Sequence, residues 1–307
     1  PTYWSTWKDG DGPIGFADVN GDGKTDLYGW SNNGNIYIFL SNGDGTFGPS
    51  IPTYWSTWKD GDGPIGFADV NGDGKTDLYG WSNNGNIYIF LSKGDGTFVL
   101  SSSIYWSTWK TGDSPIGFTD VNGDGKADFY GWSGNGNVYI KLSNGDGTFG
   151  PSIPTYWSTW KDGDGPIGFA DVNGDGKQDM YGWSNSGLIY IFMSKGDGTF
   201  VLSNSIYWST SKTGDSPIGF TDVSGDGKAD LYGWANDGFI KVTLENSTFP
   251  DLLFRITNGL NATTTITHKP LTDSSVYAKD TTAVYPYVDI QAPMYVVSSV
   301  SVSDGTG

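Results

Sequence analysis

Asp18-Val19-Asn20-Gly21-Asp22-Gly23-Lys24-Thr25-Asp26 decides the reading of this chain, because the phrase returns every 51 residues. Its later copies begin at Asp69, Asp120, Asp171 and, with Ser224 in place of the Asn, Asp222. The acids and the Asn fall on alternate positions, so a tight loop can turn their oxygens toward one point, and Gly21 and Gly23 permit the positive φ such a turn demands. A cage of hard oxygens suits calcium. The twelfth residue is Gly29 rather than Glu, and the flanks Pro13 to Ala17 and Leu27 to Trp30 are short and β-prone, so a helix-loop-helix site is excluded. The loop therefore joins two strands.

The expected side-chain ligands are Asp18, Asn20, Asp22 and Asp26, with the Lys24 backbone carbonyl as a fifth, since an ammonium cannot ligate calcium. Repetition extends the set to Asp69, Asn71, Asp73, Lys75 and Asp77, and to Asp120, Asn122, Asp124, Lys126 and Asp128. The last two copies supply Asp171, Asn173, Asp175, Lys177 and Asp179, then Asp222, Ser224, Asp226, Lys228 and Asp230. One such cluster could be an ordinary turn; five in register point to about five ions. Each loop carries three carboxylates and one Lys, and five divalent cations would bring the formal charge from −17 to about −7, an ordinary value for a soluble protein. Without metal, three like charges crowd each loop, so metal binding is expected to contribute to folding. An acidic chain without basic patches argues against a nucleic-acid partner.

A period of this length with about four strand-like segments indicates an all-β chain built as a β-propeller of four-stranded blades, five of them within residues 1–249. In the first unit the strands fall at Ile14 to Val19, Leu27 to Ser31, Ile36 to Ser41 and Thr53 to Lys59, with the ion loop between the first two. Residues 1–47 and 52–98 differ only at Asn42 against Lys93, so both units tolerate the same neighbours. The units also alternate. Lys-Thr-Gly-Asp-Ser-Pro in the third and fifth replaces Lys-Asp-Gly-Asp-Gly-Pro, which points to a duplicated pair. The Gly-Asp-Gly-Thr-Phe turn ending at Phe47, Phe98, Phe149 and Phe200 decays to Glu245-Asn246-Ser247-Thr248-Phe249, where the array stops. Residues 250–307 hold no Trp and many Thr, Val and Ser, and read as a second β-rich module that continues beyond Gly307.

The nonapeptide followed by Gly-Asp-Gly-Thr-Phe resembles the FG-GAP/VCBS repeat, the calcium-loop propeller family that includes integrin α heads and bacterial surface proteins. The segment Asp251 to Thr267, with Ala292 to Val297, is similar to the region after the propeller in Rhs/YD-repeat proteins, including the B component of Tc toxins and SpvB-like proteins. That resemblance implies a delivery scaffold in a secreted or surface-exposed bacterial protein, with a protein partner or toxin-complex component. The chain departs from the pattern in having neither YD repeats nor a toxic domain, and five blades are fewer than the usual six or seven. The absence of Cys fits stabilisation by metal rather than by disulfides.

Tyr-Trp-Ser-Thr-Trp recurs from Tyr3, and with Trp30 and its equivalents, less the position held by Ser211, accounts for all 14 Trp. Large rings filling the space between radial sheets explain them. A lectin is the alternative, in which Trp, Tyr and Asp of adjacent blades hold sugar rings and Asp11, Asp62, Asp113, Asp164 and Asp215 are the first polar candidates. A third reading, a surface fibre or sheath, follows from self-association through uncapped strand edges. Catalysis is not expected. The single His268 lies in a Thr-rich strand pattern, there is no thiol, and five equal acidic sites do not resemble one active site. Sequons at Asn246 and Asn261 are read as chance matches, and no apolar run within these residues is long enough to span a membrane.

Overall fold

The computed structural model describes residues 14–31, 34–54, 65–107, 115–133, 136–156, 167–208, 217–235, 237–245, 252–259, 261–278 and 295–303. The chain divides into two compact units, Pro1–Lys161 with Ser194–Phe200 and Asp162–Met193 with Val201–Gly307. Among the described residues there is no helix, and so none to cross a membrane.

In the first unit three repeats each form a four-stranded antiparallel meander, the blade of a β-propeller. The first contains β1 (Ile14–Ala17), β2 (Asp26–Trp30), β3 (Asn35–Phe39) and β4 (Ile51–Tyr54). The second contains β5 (Ile65–Ala68), β6 (Asp77–Trp81), β7 (Asn86–Ser92) and β8 (Phe98–Tyr105). The third contains β9 (Ile116–Thr119), β10 (Asp128–Trp132), β11 (Asn137–Lys141) and β12 (Ile153–Tyr156). The expected strands are thus found within a residue or two; of the fourth, Thr53 and Tyr54 lie in β4, and residues 55–59 lie outside the described residues.

Register follows the two-residue alternation of side chains. Ala17 pairs with Asp26, Leu27 with Phe39, and Ile38 with Ile51, which sends Ile36 and Ile38 inward together. Gly15 pairs with Tyr28, whose ring lies across the bare backbone; a Cβ on Gly15 would meet the Tyr28 hydroxyl at 2.3 Å. The same crossing recurs at Gly66 with Tyr79 and Gly117 with Tyr130. This is why the glycine of Ile-Gly-Phe is kept in every repeat.

The core lies between consecutive blades. Ala17, Val19, Ile36 and Ile38 bury Leu78 of the second repeat, and Val70, Trp81, Ile87, Ile89 and Ile104 bury Phe129 of the third. Tyr28 meets Phe67, and Tyr79 meets Phe118, both with ring centroids 4.4 Å apart. Trp81 fills this space as expected.

The two-repeat alternation is structural. Pro52 and Pro154 stand in the four-residue strands β4 and β12, where a missing amide is tolerated on an edge, whereas β8 runs for eight residues and leaves Val99 and Leu100 exposed. Ile51 of β4 packs on Gly96 of the next repeat, while Ser101 and Ser102 of β8 donate their hydroxyls to the carbonyls of Asp146 and Gly147. Apolar and polar attachments therefore alternate along the array.

The second unit contains β13 (Ile167–Ala170), β14 (Asp179–Trp183), β15 (Leu188–Ser194) and β16 (Phe200–Tyr207) in one sheet, then β17 (Ile218–Thr221), β18 (Asp230–Trp234) and β19 (Ile240–Thr243) in another. Trp183, Ile189, Ile218 and Leu231 form its main cluster, but Trp234 is 47% exposed, so the core-filling reading holds for Trp183 and not for Trp234. A last sheet joins β20 (Arg255–Thr257), β21 (Thr263–Pro270) and β22 (Tyr295–Val302), with an irregularity between Thr267 and His268. His268 is half-buried there.

Phe129→Ala is expected to cost about 3–5 kcal/mol, because it empties a site shared by two blades. The shift in denaturant midpoint, read beside Val99→Ala on the exposed edge of β8 as a near-neutral control, checks it.

Candidate metal centre

Each repeated phrase forms the connection between the first and second strands of its blade, as the sequence requires. Gly21 and Gly23 have φ of 73° and 80°, and all later copies follow suit. The turn closes on its own acid. Asp18 Oδ1 accepts from the Gly21 amide at 2.8 Å and Oδ2 from Gly23 at 2.9 Å, while Asn20 Oδ1 accepts from Asp22 and Asp22 Oδ1 from Lys24. The copies at Asp69, Asp120 and Asp171 reproduce this pattern. In the fifth, Asp222 accepts from Gly225 and Gly227, with Ser224 Oγ 3.5 Å from its carboxylate.

The ninth-position acid behaves differently. Asp26, Asp77, Asp128, Asp179 and Asp230 are all buried. Asp77 accepts from the Val70 amide at 3.0 Å and from the Ser92 amide at 2.8 Å, and Asp26 and Asp128 repeat both contacts with Val19 and Ser41 and with Val121 and Ser143. Asp230 accepts from Val223, Ser224 and Glu245. This carboxylate ties the loop to the turn after the third strand. Sequence reading missed that second role, although the constant spacing of 15 residues from Asp26 to Ser41, Asp77 to Ser92 and Asp128 to Ser143 was available as a signal.

Burial pushes Asp77 and Asp128 up to about 6, against the opposing pull of their amide donors; the charges of Asp73 and Asp69, and of Asp124 and Asp120, push the same way. Asp26 and Asp171 are likewise raised, chiefly by burial. The loop lysines supply the counter-charge. Lys75 Nζ lies 2.7 Å from Asp73 Oδ2, and the equivalent pair at Lys126 is 2.6 Å. Lys75 is raised first by that hydrogen bond and further by the charges of Asp73, Asp77 and Asp69, so its ammonium senses all three loop acids. Lys24 pairs with Asp22, Lys177 with Asp175 and Lys228 with Asp226 in the same way.

Among the described residues, no three His, Cys, Asp or Glu side chains are gathered as a ready coordination shell. The predicted ligands do share one loop, but their oxygens face backbone amides and the Lys ammonium. The donor set remains hard and anionic, and the field that steadies Lys75 is one in which a cation is favoured. In chemical type the residues fit calcium.

Loops of neighbouring repeats are joined directly. The Asp18 carbonyl accepts from the Thr76 amide at 2.9 Å, and the Asp69 carbonyl from Ala127 at 2.8 Å. Ser92 Oγ donates to the Val19 carbonyl and Ser143 Oγ to that of Val70, both at 2.6 Å. In the second unit Ala229 donates to Asp171 at 2.8 Å. The lectin candidates Asp11, Asp62, Asp113, Asp164 and Asp215 lie outside the described residues.

The FG-GAP-like repeat family matches the chain in four overlapping spans, residues 18–80, 69–131, 120–182 and 171–233. A lectin of Agrocybe aegerita that recognises non-reducing terminal N-acetylglucosamine is similar in structure, with 23% identity and a TM-score of 0.60 over 77% of this chain and 67% of its own. A chain of the Photorhabdus luminescens Tc holotoxin pore has 17% identity and a TM-score of 0.64 over 97% of this chain. TcdB2-TccC3 has 15% identity and a TM-score of 0.51 over 95%. This chain spans only 14% and 17% of the lengths of those two Tc chains. At such identities the likeness is one of fold. No curated protein matches the sequence.

Asp77 and Asp128 bind a proton more tightly folded than at the ordinary carboxylate value of 3.8. Their contribution is therefore complete below that value and lost as pH rises through about 6. Metal-free protein is expected to gain stability from this pair as pH falls from about 7 to about 5. Asp77→Asn should flatten the trend and cost about 1–3 kcal/mol, since its amide nitrogen would face one of the two backbone donors. Denaturation midpoints measured across that range in chelator check both.

Proposed function

The chain belongs to the FG-GAP-like repeat family, and we propose that it is a calcium-stabilised docking scaffold within a larger secreted or surface-exposed bacterial protein of toxin-delivery type. The observation that carries the calcium reading is the loop itself, in which positive-φ turns at two glycines bring Asp69, Asn71, Asp73 and Asp77 onto one short connection, repeated in every blade, with the Lys75 ammonium 2.7 Å from Asp73. A bound divalent cation would supply the positive charge these loops otherwise obtain from one Lys. Asp18, Asn20, Asp22, Asp26 and the Lys24 carbonyl, with their equivalents, would hold it. Because the Thr76 amide ties the second loop to Asp18 of the first, a fixed loop restrains its neighbour, and the surface the blades present keeps one geometry toward a partner.

Support for the toxin-delivery reading comes from the extent of the likeness. The similarity to the Tc holotoxin chain reaches 97% of this sequence, so it continues beyond the repeats into the last β-sheet, while that to the lectin covers 77%. An Rhs-like module at residues 250–307 is part of the same proposal. Binding rather than catalysis is the mode of action in this reading, with a lone His, at the irregularity of β21, and no thiol. Glycan binding is a second reading, favoured by one cleft between blades described below.

Calorimetric titration with calcium at neutral pH should give about five sites, one per acidic loop. Chelation should lower the melting temperature, and Asp73→Ala should remove one site. Calcium should also reverse the pH trend of the metal-free protein, because protonation then competes with the metal. Absence of binding heat together with an unchanged melting curve would refute the reading.

A further inference from the structure

The near-identity of the repeats supplies an internal control, and one position stands out against it. At the third-strand position paired with Leu27, Leu78 and Met180, three repeats carry Phe39, Phe90 and Phe192, and the fifth carries Thr243 opposite Leu231. The third repeat alone carries a cation there, Lys141 opposite Phe129. Lys141 lines an open cleft of about 310 Å³ between the second and third blades, together with Tyr105, Trp106, Ser133, Tyr139 and Ser152. No carboxylate is among these lining residues, although the chain carries a formal charge of −17.

The wall of this cleft is preorganised. Trp106 donates its amide to the Gly85 carbonyl at 2.8 Å, and its indole occupies the notch left by Gly131, where a Cβ would meet it at 2.6 Å. The ring stands edge-on to Phe129 and Tyr139, with centroids 5.3 and 5.7 Å away. Tyr105 beside it is 67% exposed. Flat aromatic surface, two serine hydroxyls and a single ammonium form a set that matches a pyranose with an apolar face, several hydroxyls and one negative charge.

We propose that this cleft binds a sugar bearing a carboxylate, of the uronic or sialic acid class, with Tyr105 and Trp106 against the ring, Ser133 and Ser152 toward its hydroxyls and Lys141 toward its carboxylate. This rests on the glycan-binding reading and is independent of the metal. The lining does not recur around the fifth repeat, where Ala235, Lys241 and Thr243 stand for Ser133, Tyr139 and Lys141. One sugar site per chain follows, against about five for calcium.

The test is titration of the whole chain, in calcium buffer at neutral pH, with methyl glucuronide, N-acetylneuraminic acid and methyl glucoside, followed by calorimetry and Trp fluorescence. At least one acidic sugar should bind with a stoichiometry of one, and methyl glucoside should bind about tenfold more weakly or not at all. Lys141→Phe installs the residue that three other repeats carry at this position. It should keep the melting curve and the calcium response of the parent while losing the preference for the acid. Gly131→Ala, which displaces Trp106, should weaken every sugar together. Failure of both acidic sugars to bind, equal binding of the neutral glucoside, or an unaltered preference in Lys141→Phe would overturn the proposal. The calcium response of the same samples reports separately on the scaffold.

Discussion

A carboxylate carried into the interior must be satisfied there, and the ninth residue of every loop imposes that demand on this fold. Asp77 has no exposed surface, yet it sits beside two other acids and is held by the backbone amides of Val70 and Ser92. The chain meets the demand by bringing two segments to one side chain, the loop at Val70 and the turn at Ser92. The hydroxyl of Ser92 then continues to the Val19 carbonyl of the preceding repeat. One buried charge thus fixes the loop, the turn beside it and the seam with the next blade.

This arrangement explains why near-identical sequence persists along the array. A blade whose loop hydrogen-bonds to the preceding loop and whose turn receives the preceding edge strand must present the same atoms at both faces. Lys75 illustrates the constraint. Its stem passes close to Gly21 of the preceding loop and Gly94 of its own turn, where side chains at either glycine would strike it, while its ammonium reaches Asp73. A substitution at one repeat is therefore felt at two. Lys141, whose position holds Phe in three repeats and Thr in the fifth, varies because it lines an open cleft and not the joined loops.

The blades were legible because their cues are local. Alternating apolar residues placed the strands, the glycines of Asn-Gly-Asp-Gly placed the positive-φ turns, and the exchange of Lys-Asp-Gly-Asp-Gly-Pro for Lys-Thr-Gly-Asp-Ser-Pro marked the two-repeat alternation, whose short and long outer strands appear only in the structure. The chemistry of the loop was legible as a type, hard oxygens at fixed spacing. The second task of Asp26 was less so, because its burial depends on the end of β3 arriving 15 residues later. Nor could the spacing show that Lys24, read for its carbonyl, also brings its ammonium to Asp22. The Trp residues divide for the same reason. Trp81 is enclosed by the third repeat, whereas Trp234, identical in local sequence, is largely exposed.

The fifth loop shows how an array of this kind can end. In the first repeats the glycine at the fourth loop position faces the next loop, Gly21 against Lys75 and Gly72 against Lys126. Gly225 instead faces Thr272, in the turn after β21, and Thr272 Oγ1 donates to its carbonyl. Tyr295, which opens β22, is pushed up to about 12 by burial and by the charges of Asp226 and Asp222, so its hydroxyl stays protonated beside them. A neutral hydroxyl from Thr and another from Tyr thus stand beside the last loop, at the face where earlier repeats present Lys. The turn after β21 takes over at Gly225 the contact that the next loop makes at Gly21 and Gly72.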